Sequence, residues 1–216
     1  MMDQPFGTRF LSLALLALLT FAGSARSQNF DFYVLSLSWS PTYCAIQKDA
    51  LRSPQCAGDE SFRFIVHGLW PQYERGYPEF CRSPEPRRVP QGLGESMFDI
   101  MPSMGLIGHQ WRKHGSCTGL SQRDYLTTTR QAFEHIRIPD RLATGESRLT
   151  LSAEQIEQMF VAANPGMTRR GIATTCEARR LEEVRICLTK DLRFRDCAEV
   201  DRGGCRLDQI ELPPAR

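Results

Sequence analysis

The chain has 216 residues, with 27 Lys and Arg set against 25 Asp and Glu for a formal net charge of +2. That length suits one domain, or one domain behind a removable leader. A balance this even excludes a protein that coats polyanions with a basic surface, so any contact with nucleic acid has to be made in a local charged cleft.

The chain starts like a leader. Arg9 gives a weakly basic beginning, residues 10–21 are an apolar run rich in Leu and Ala, and residues 22–27 supply small side chains for cleavage after Ala25 or Ser27. The run is short for a membrane span. Residues 1–27 are therefore expected to be a secretory signal peptide, with an uncleaved anchor as the alternative. Residues 28–216 would be the mature domain, secreted or periplasmic and free of the membrane. Eight cysteines follow, at positions 44, 56, 81, 117, 176, 187, 197 and 205, with no CxxC pair and no Cys/His cluster. An even count behind such a leader implies a disulfide framework and leaves the pairing open.

Residues 30–39 (FDFYVLSLSW) alternate as a first strand, which Pro41 stops. Residues 62–66 (FRFIV) read as a second strand that delivers His67 at its end, just before Gly68-Leu69-Trp70-Pro71. The stretch 78–94 is rich in Pro, Gly and Arg and reads as a long surface loop. Ser121 with Asp124 is placed to cap a helix running to about Ile136, and the polar stretch 139–150 reads as loop. Ser152 and Gln155 form a capping box for a helix ending near Asn164-Pro165-Gly166. Short strands are expected at 171–176 and 184–189, with Lys190-Asp191 turning into a third at 192–197. Without repeats or a linker, this mixture argues one α+β domain.

The stretch most loaded with chemistry is His109-Gln110-Trp111-Arg112-Lys113-His114-Gly115-Ser116-Cys117. At about 100° per residue, a helix brings His109 and Lys113 one turn apart, with Gln110 and His114 in the adjacent row, within roughly 140° of arc. Two imidazoles, an ammonium and a carboxamide make a poor core stripe and a good anion site. Gly115 is placed to end the helix, and Cys117 to tie that end elsewhere. The competing readings are a solvated helix face and a structural zinc pair, the latter disfavoured because no further ligand arrives at metal spacing.

His67-Gly68-Leu69-Trp70-Pro71 together with His109-x-x-x-Lys113-His114-Gly115-x-Cys117 resembles the paired active-site segments of the T2 ribonuclease family. The FDFYVLSLSWSPTYC opening, the Asn164-Pro165-Gly166 turn and the EVRICL stretch extend the resemblance through most of the mature chain. It implies an α+β fold with an antiparallel sheet flanked by helices. It also implies cleavage of single-stranded RNA by transesterification to a 2′,3′-cyclic phosphate, with no metal and no cofactor, by a chain expected to act as a monomer. Attack of a ribose 2′-OH on its own phosphate needs a base, an acid for the leaving 5′ oxygen, and positive or donor groups for the phosphoryl oxygens. By resemblance, His67 and His114 form the acid/base pair, with His114 the base for the 2′-OH. His109 would hold the phosphate and Lys113 the charge on pentacoordinate phosphorus.

Trp70 resembles a base-stacking tryptophan, although a large aromatic beside a strand is often core. Trp39 and Trp111 read as packing residues and His135 as surface. The sequence departs from the family pattern in three places. Gln110 stands where a glutamate is commonest, so it can donate to a phosphoryl oxygen but cannot tune an imidazole by charge. Leu106 replaces an aromatic residue that helps to hold a base, and Gln72 an acidic residue used for purine contact. Low base specificity is the expectation. The resemblance also implies the bridges Cys44–Cys56, Cys81–Cys117, Cys176–Cys205 and Cys187–Cys197. Two rival functions are a non-catalytic relative that only binds, which would be expected to lose one of His67, His109 and His114, and a metal-dependent phosphodiesterase, which would need carboxylate clusters.

Overall fold

The computed structural model describes residues 29–47, 52–58 and 60–215, together with Met2. The expected signal peptide, Met2 apart, lies outside the described residues. Strand β1 (Phe32–Trp39) is an inner strand of the sheet and gives way to the short helix α1 (Ser40–Ile46), whose first turn holds Pro41. Proline does stop the strand, but by opening a helix, because its fixed φ suits a first turn and its missing N–H costs nothing there. Helix α2 (Pro54–Ala57) then leads to β2 (Phe64–Gln72). Helices α3 (Gln91–Glu95), α4 (Met104–Lys113), α5 (Gln122–Glu134) and α6 (Asp140–Ala143) follow. After β3 (Leu149–Leu151) and α7 (Ala153–Ala163) come β4 (Ile172–Glu177), β5 (Arg180–Leu188), α8 (Ala198–Arg202) and β6 (Ile210–Leu212).

The strands order as β2-β1-β5-β6-β3, with β4 on the other side of β5. Pairing is antiparallel throughout except for one parallel bridge between β5 and β6, at Arg180 and Glu211. The sheet is thus mixed by that one contact, and the single α+β domain is otherwise as the sequence implies. Alternation along β1 separates two faces. Tyr33, Leu35, Leu37 and Trp39 enter the main core with Ile107 and Trp111 of α4 and Tyr125 and Leu126 of α5. Phe32 and Val34 pack into a smaller cluster with Cys187, Cys197 and Trp70 on the opposite face, where Ser36 and Ser38 continue the row.

The second strand does not end at His67. It runs on through the whole His-Gly-Leu-Trp-Pro stretch, and the register with β1 slips there: Leu37 pairs with Val66 and Ser36 with Gly68, leaving His67 as the extra residue of a bulge. Pro71 is tolerated because β2 is an edge strand. The expected strand at 192–197 is absent; Phe194 makes one isolated bridge to Leu188, and Leu192 has a left-handed φ of 61° that breaks an extended run. The loop at 139–150 carries α6 and β3, both too short to announce themselves. The two capped helices begin where expected, with Ser121 accepting from the Asp124 N–H and Ser152 with Gln155 forming both bonds of a capping box.

All four implied bridges are present: Cys44–Cys56, Cys81–Cys117, Cys176–Cys205 and Cys187–Cys197. Helix α4 starts earlier than the motif, at the Ser103 cap, and ends at Lys113, so His114 is its C-cap and residues Gly115–Cys117 form a 3₁₀ turn. Gly115 does not stop the helix by a left-handed turn; it is needed because a Cβ there would lie 2.5 Å from the Trp111 ring and 2.8 Å from that of Tyr125. Both rings are buried and cannot swing away. Gly115→Ala is expected to cost about 1–3 kcal/mol by overpacking, read as a lower urea midpoint; an unchanged midpoint would show that the two rings can yield.

Candidate active site

Strand β2 and helix α4 bring together His67, His109, Gln110, Lys113 and His114 of the two motifs, while Arg112 and Ser116 line neither recess. A cleft of about 350 Å³ is lined by His67, Trp70 and Gln72 from β2, by His109, Gln110, Lys113 and His114 at the end of α4, and by Tyr77, Glu183 and Arg185 among others. A second hollow of about 440 Å³ shares His67, His109 and Glu183 with it and continues past Leu106, Tyr43 and Gln47. His67, His109 and Glu183 therefore form the ridge between two recesses.

The two elements are held in place from several sides. The Tyr125 hydroxyl donates to the Leu69 carbonyl at 2.9 Å, fastening β2 to α5. The Phe80 N–H donates to the Lys113 carbonyl at 2.8 Å, and Cys81–Cys117 bridges the same loop to the turn after α4. The loop after β2 is thereby locked against the C-terminal end of α4, with Tyr77 and Glu79 beside Lys113.

Trp70 is the hub of the aromatic contacts. Its ring stacks on His114 at a centroid distance of 5.3 Å and meets His67 edge-on at 5.4 Å, with the Arg185 guanidinium 5.4 Å from its centre. Its indole N–H donates to Gln110 Oε1 at 2.8 Å. Gln110 is buried, so its carbonyl end is committed to orienting Trp70, a task the sequence did not suggest. Gly68 makes this possible: a Cβ there would collide with the Gln110 amide and the Trp70 indole nitrogen. Gln72 is also buried, with its amide donating to the Pro71 carbonyl at 3.2 Å.

The charges are distributed unequally. His114 is buried, with Nδ1 lacking a hydrogen-bond partner among the described residues. Burial, followed by Lys113, His67 and His109, pulls its pKa down to about 3. His109 is shifted downward as well, by burial first and then by Lys113, Arg112 and His67. Lys113 Nζ lies 3.6 Å from Glu79 Oε2 and 5.9 Å from the centre of the Tyr77 ring. On β5, Glu183 is almost fully buried; one oxygen meets His67 Nδ1 and the other takes two bonds from Arg185, at 2.9 and 2.8 Å. Burial works to raise the Glu183 pKa, but the hydrogen bond and charge of His67 and the charge of Arg185 outweigh it and bring it to about 2.

Sequence reasoning missed Glu183, Arg185, Tyr77 and Glu79. Only the last two carried a signal, as an exposed aromatic and a carboxylate in the loop after the first motif. His135 caps the end of α5 away from the site, and Trp39 and Trp111 are packing residues.

Residues 30–197 match the sequence model of the Ribonuclease T2 family. A ribonuclease from Aeromonas hydrophila is 37% identical over 170 residues, covering 76% of this chain and 74% of that protein. A probable ribonuclease from Haemophilus influenzae is 33% identical over 179 residues, which is 77% of this chain and 61% of that protein. Among solved structures, RNase NT in complex with 5′-AMP superposes with a TM-score of 0.69 at 22% identity, covering 87% of this chain and all of that one.

Burying His114 has a consequence for stability. Its folded pKa of about 3 lies below the ordinary imidazole value of 6.5, so the unfolded chain binds the extra proton between those values. The contribution is fully present above about pH 6.5 and is lost as pH falls toward 3. Urea midpoints of the wild type are therefore expected to fall more steeply from pH 6.5 to 4 than those of His114→Gln. Parallel curves would mean that position 114 does not carry this proton linkage.

Proposed function

The chain belongs to the ribonuclease T2 family, and on that premise we propose a secreted or periplasmic endoribonuclease that cuts single-stranded RNA by 2′-OH transesterification, without metal or cofactor. The observation that carries this reading is the pair of histidines in contact with one tryptophan, set in opposite electrostatic surroundings. His114 is buried and neutral over the working range, as a proton acceptor must be at the start. His67 meets a buried carboxylate through Nδ1, which leaves Nε2 as the ring atom open to a leaving oxygen.

The chemistry then follows atom by atom. His114 takes the proton of the 2′-OH as the 2′ oxygen bonds to phosphorus; the P–O5′ bond breaks, and His67 gives its Nε2 proton to the leaving O5′. The products are a 2′,3′-cyclic phosphate and a free 5′-OH. An incoming phosphodiester offsets the positive charge of Lys113 and His109, so binding itself strengthens His114 as a base. His109 holds a phosphoryl oxygen, and Lys113, released from Glu79, stabilises charge on the pentacoordinate phosphorus.

Trp70 and the exposed ring of Tyr77 supply faces for a base beside the scissile bond. Gln72 can both donate and accept, and Leu106 offers no hydrogen bond at all, which supports low base specificity. The leader-like composition of residues 1–27 and the four disulfides support export. Cleavage by a monomer needs no residue from a second copy.

Incubation of the purified protein with single-stranded RNA in excess EDTA should give undiminished cleavage and cyclic phosphate ends; 5′-phosphate ends would exclude this mechanism. His67→Ala and His114→Ala should each lose at least ~100-fold in kcat, and Lys113→Ala ~10²–10³, with folding intact by circular dichroism. Because the exposed Lys113–Glu79 pair must part when phosphate binds, Glu79→Gln should lower KM by a factor of about two to five. A raised KM would mean that Glu79 helps to bind substrate.

A further inference from the structure

We propose that Glu183 is a positioning residue for His67: it accepts the Nδ1–H across strand β1, holds Nε2 toward the cleft and is itself locked by Arg185. This rests on the ribonuclease reading above and names a residue outside both motifs.

The geometry begins with the strand order. β2 and β5 are not neighbours, because β1 lies between them. Two strand spacings separate their backbones by roughly 10 Å, too far for an ordinary cross-strand pair. His67 and Glu183 meet nonetheless, and their side chains span the gap from opposite sides. The path is open because the two β1 residues that lie between them on this face are serines: Ser38 pairs with Glu183 and Ser36 with Arg185. Both lie beside the bulge that singles out His67. Leucines there would fill the route, whereas the hydroxymethyl groups leave it clear. Ser36 is fully buried and its hydroxyl has no hydrogen-bond partner among the described residues, so this serine is retained at a cost in polar desolvation.

Glu183 is likewise an expensive residue for the middle of a sheet. A buried carboxylate persists ionised only when paired. It is paired twice, by His67 on one oxygen and by Arg185 on the other, and Arg185 also stands over Trp70. The carboxylate therefore cannot rotate away from the imidazole without losing the guanidinium. An imidazole whose Nδ1–H is engaged in this way has a single tautomer when neutral, with the lone pair on Nε2. In the cleavage step Nε2 is the atom that surrenders a proton to O5′ and must take one back for the next cycle. A carboxylate behind Nδ1 orients the ring in both states. The other titratable and charged groups lining these recesses are His109, Lys113 and His114 at the end of α4, Glu182 and Arg185 from β5, Glu177 from β4, Tyr43 from α1 and Tyr77 from the loop after β2. None of these makes a hydrogen bond to His67 Nδ1.

Two measurements test the role. With only four histidines in the chain, ¹⁵N-histidine spectra of the whole mature protein, assigned with His67→Ala, report the His67 tautomer directly. Nδ1 should stay protonated across the titration while Nε2 gains and loses the proton; a neutral ring protonated at Nε2 overturns the proposal. In RNA-cleavage kinetics, Glu183→Gln should lower kcat about 10- to 100-fold with KM changed less than about twofold. The limb of the kcat–pH profile due to His67 should move to lower pH, because an amide does not stabilise imidazolium as an anion does. Glu183→Asp, which restores the charge on a shorter arm, should return the limb toward its wild-type place. A merely structural glutamate would leave the profile where it was, and wild-type kcat with an unmoved limb in Glu183→Gln overturns the proposal. Should that variant not fold, the wild-type tautomer decides alone. Absence of RNA cleavage by the wild type would instead sink the parent reading, leaving the tautomer result intact and separable.

Discussion

One extra residue in β2 governs the site. In a regular strand, side chains alternate, so His67 and Leu69 would share a face, and Trp70 would point with Val66 into the core. The bulge at His67 resets that phase, so that Val66 and Leu69 are both buried in the main core while His67 and Trp70 share the open side. Gly68 inside the bulge leaves room for the Gln110 amide to reach the Trp70 indole, and this bond fixes the tryptophan between the two histidines. The bulge is stable because β1 holds one flank in register and the Tyr125 hydroxyl holds the Leu69 carbonyl from α5. The chemistry of the cleft is thus anchored in the packing of the core behind it.

Two histidines in one cleft are useful only if they differ, and the fold separates them by depth and neighbours. His114 caps α4 from inside, where Lys113 and His109 crowd it with positive charge and burial removes water. His67 stands on the rim, partly exposed, with the buried Glu183 behind it. The roles proposed for them rest on these surroundings more than on the imidazole they share. The desolvation that keeps His114 neutral also makes the folded state lose ground as protons become available.

What could be read from the sequence was whatever depends on short-range pattern. The capping residues Ser121 and Ser152 signal their own helices, because the hydrogen bonds they make are three residues away. The helix face His109-Gln110-Lys113-His114 is legible from a fixed angular step, and the four bridges from resemblance to a family. The rest depends on register. Whether His67 ends a strand or sits in a bulge is decided by β1, not by β2's own residues. That Leu192 breaks the strand expected after Asp191 depends on a left-handed turn with no glycine to mark it. Glu183 was invisible for the same reason: in sequence it is one acid in a run of charged residues, and only the sheet order shows that it reaches across Ser36 and Ser38 to His67.

Gln110 is best understood within that charge arrangement. A glutamate is commonest at this place in the family the chain resembles, and there it would add a second anion to the cleft. Here an anion already stands behind His67, well buried and neutralised by Arg185. Gln110 has a different geometric duty, accepting the Trp70 N–H from a fully buried position on the inner side of α4. A carboxylate could accept that bond too, but its charge would be buried without a guanidinium partner, and it would favour the cationic form of the adjacent His114. The neutral amide keeps the bond and avoids both effects. It also leaves Glu183, on the His67 side, as the buried anion in contact with the histidine pair, which keeps the surroundings of His67 and His114 distinct as the proposed donor and acceptor roles require.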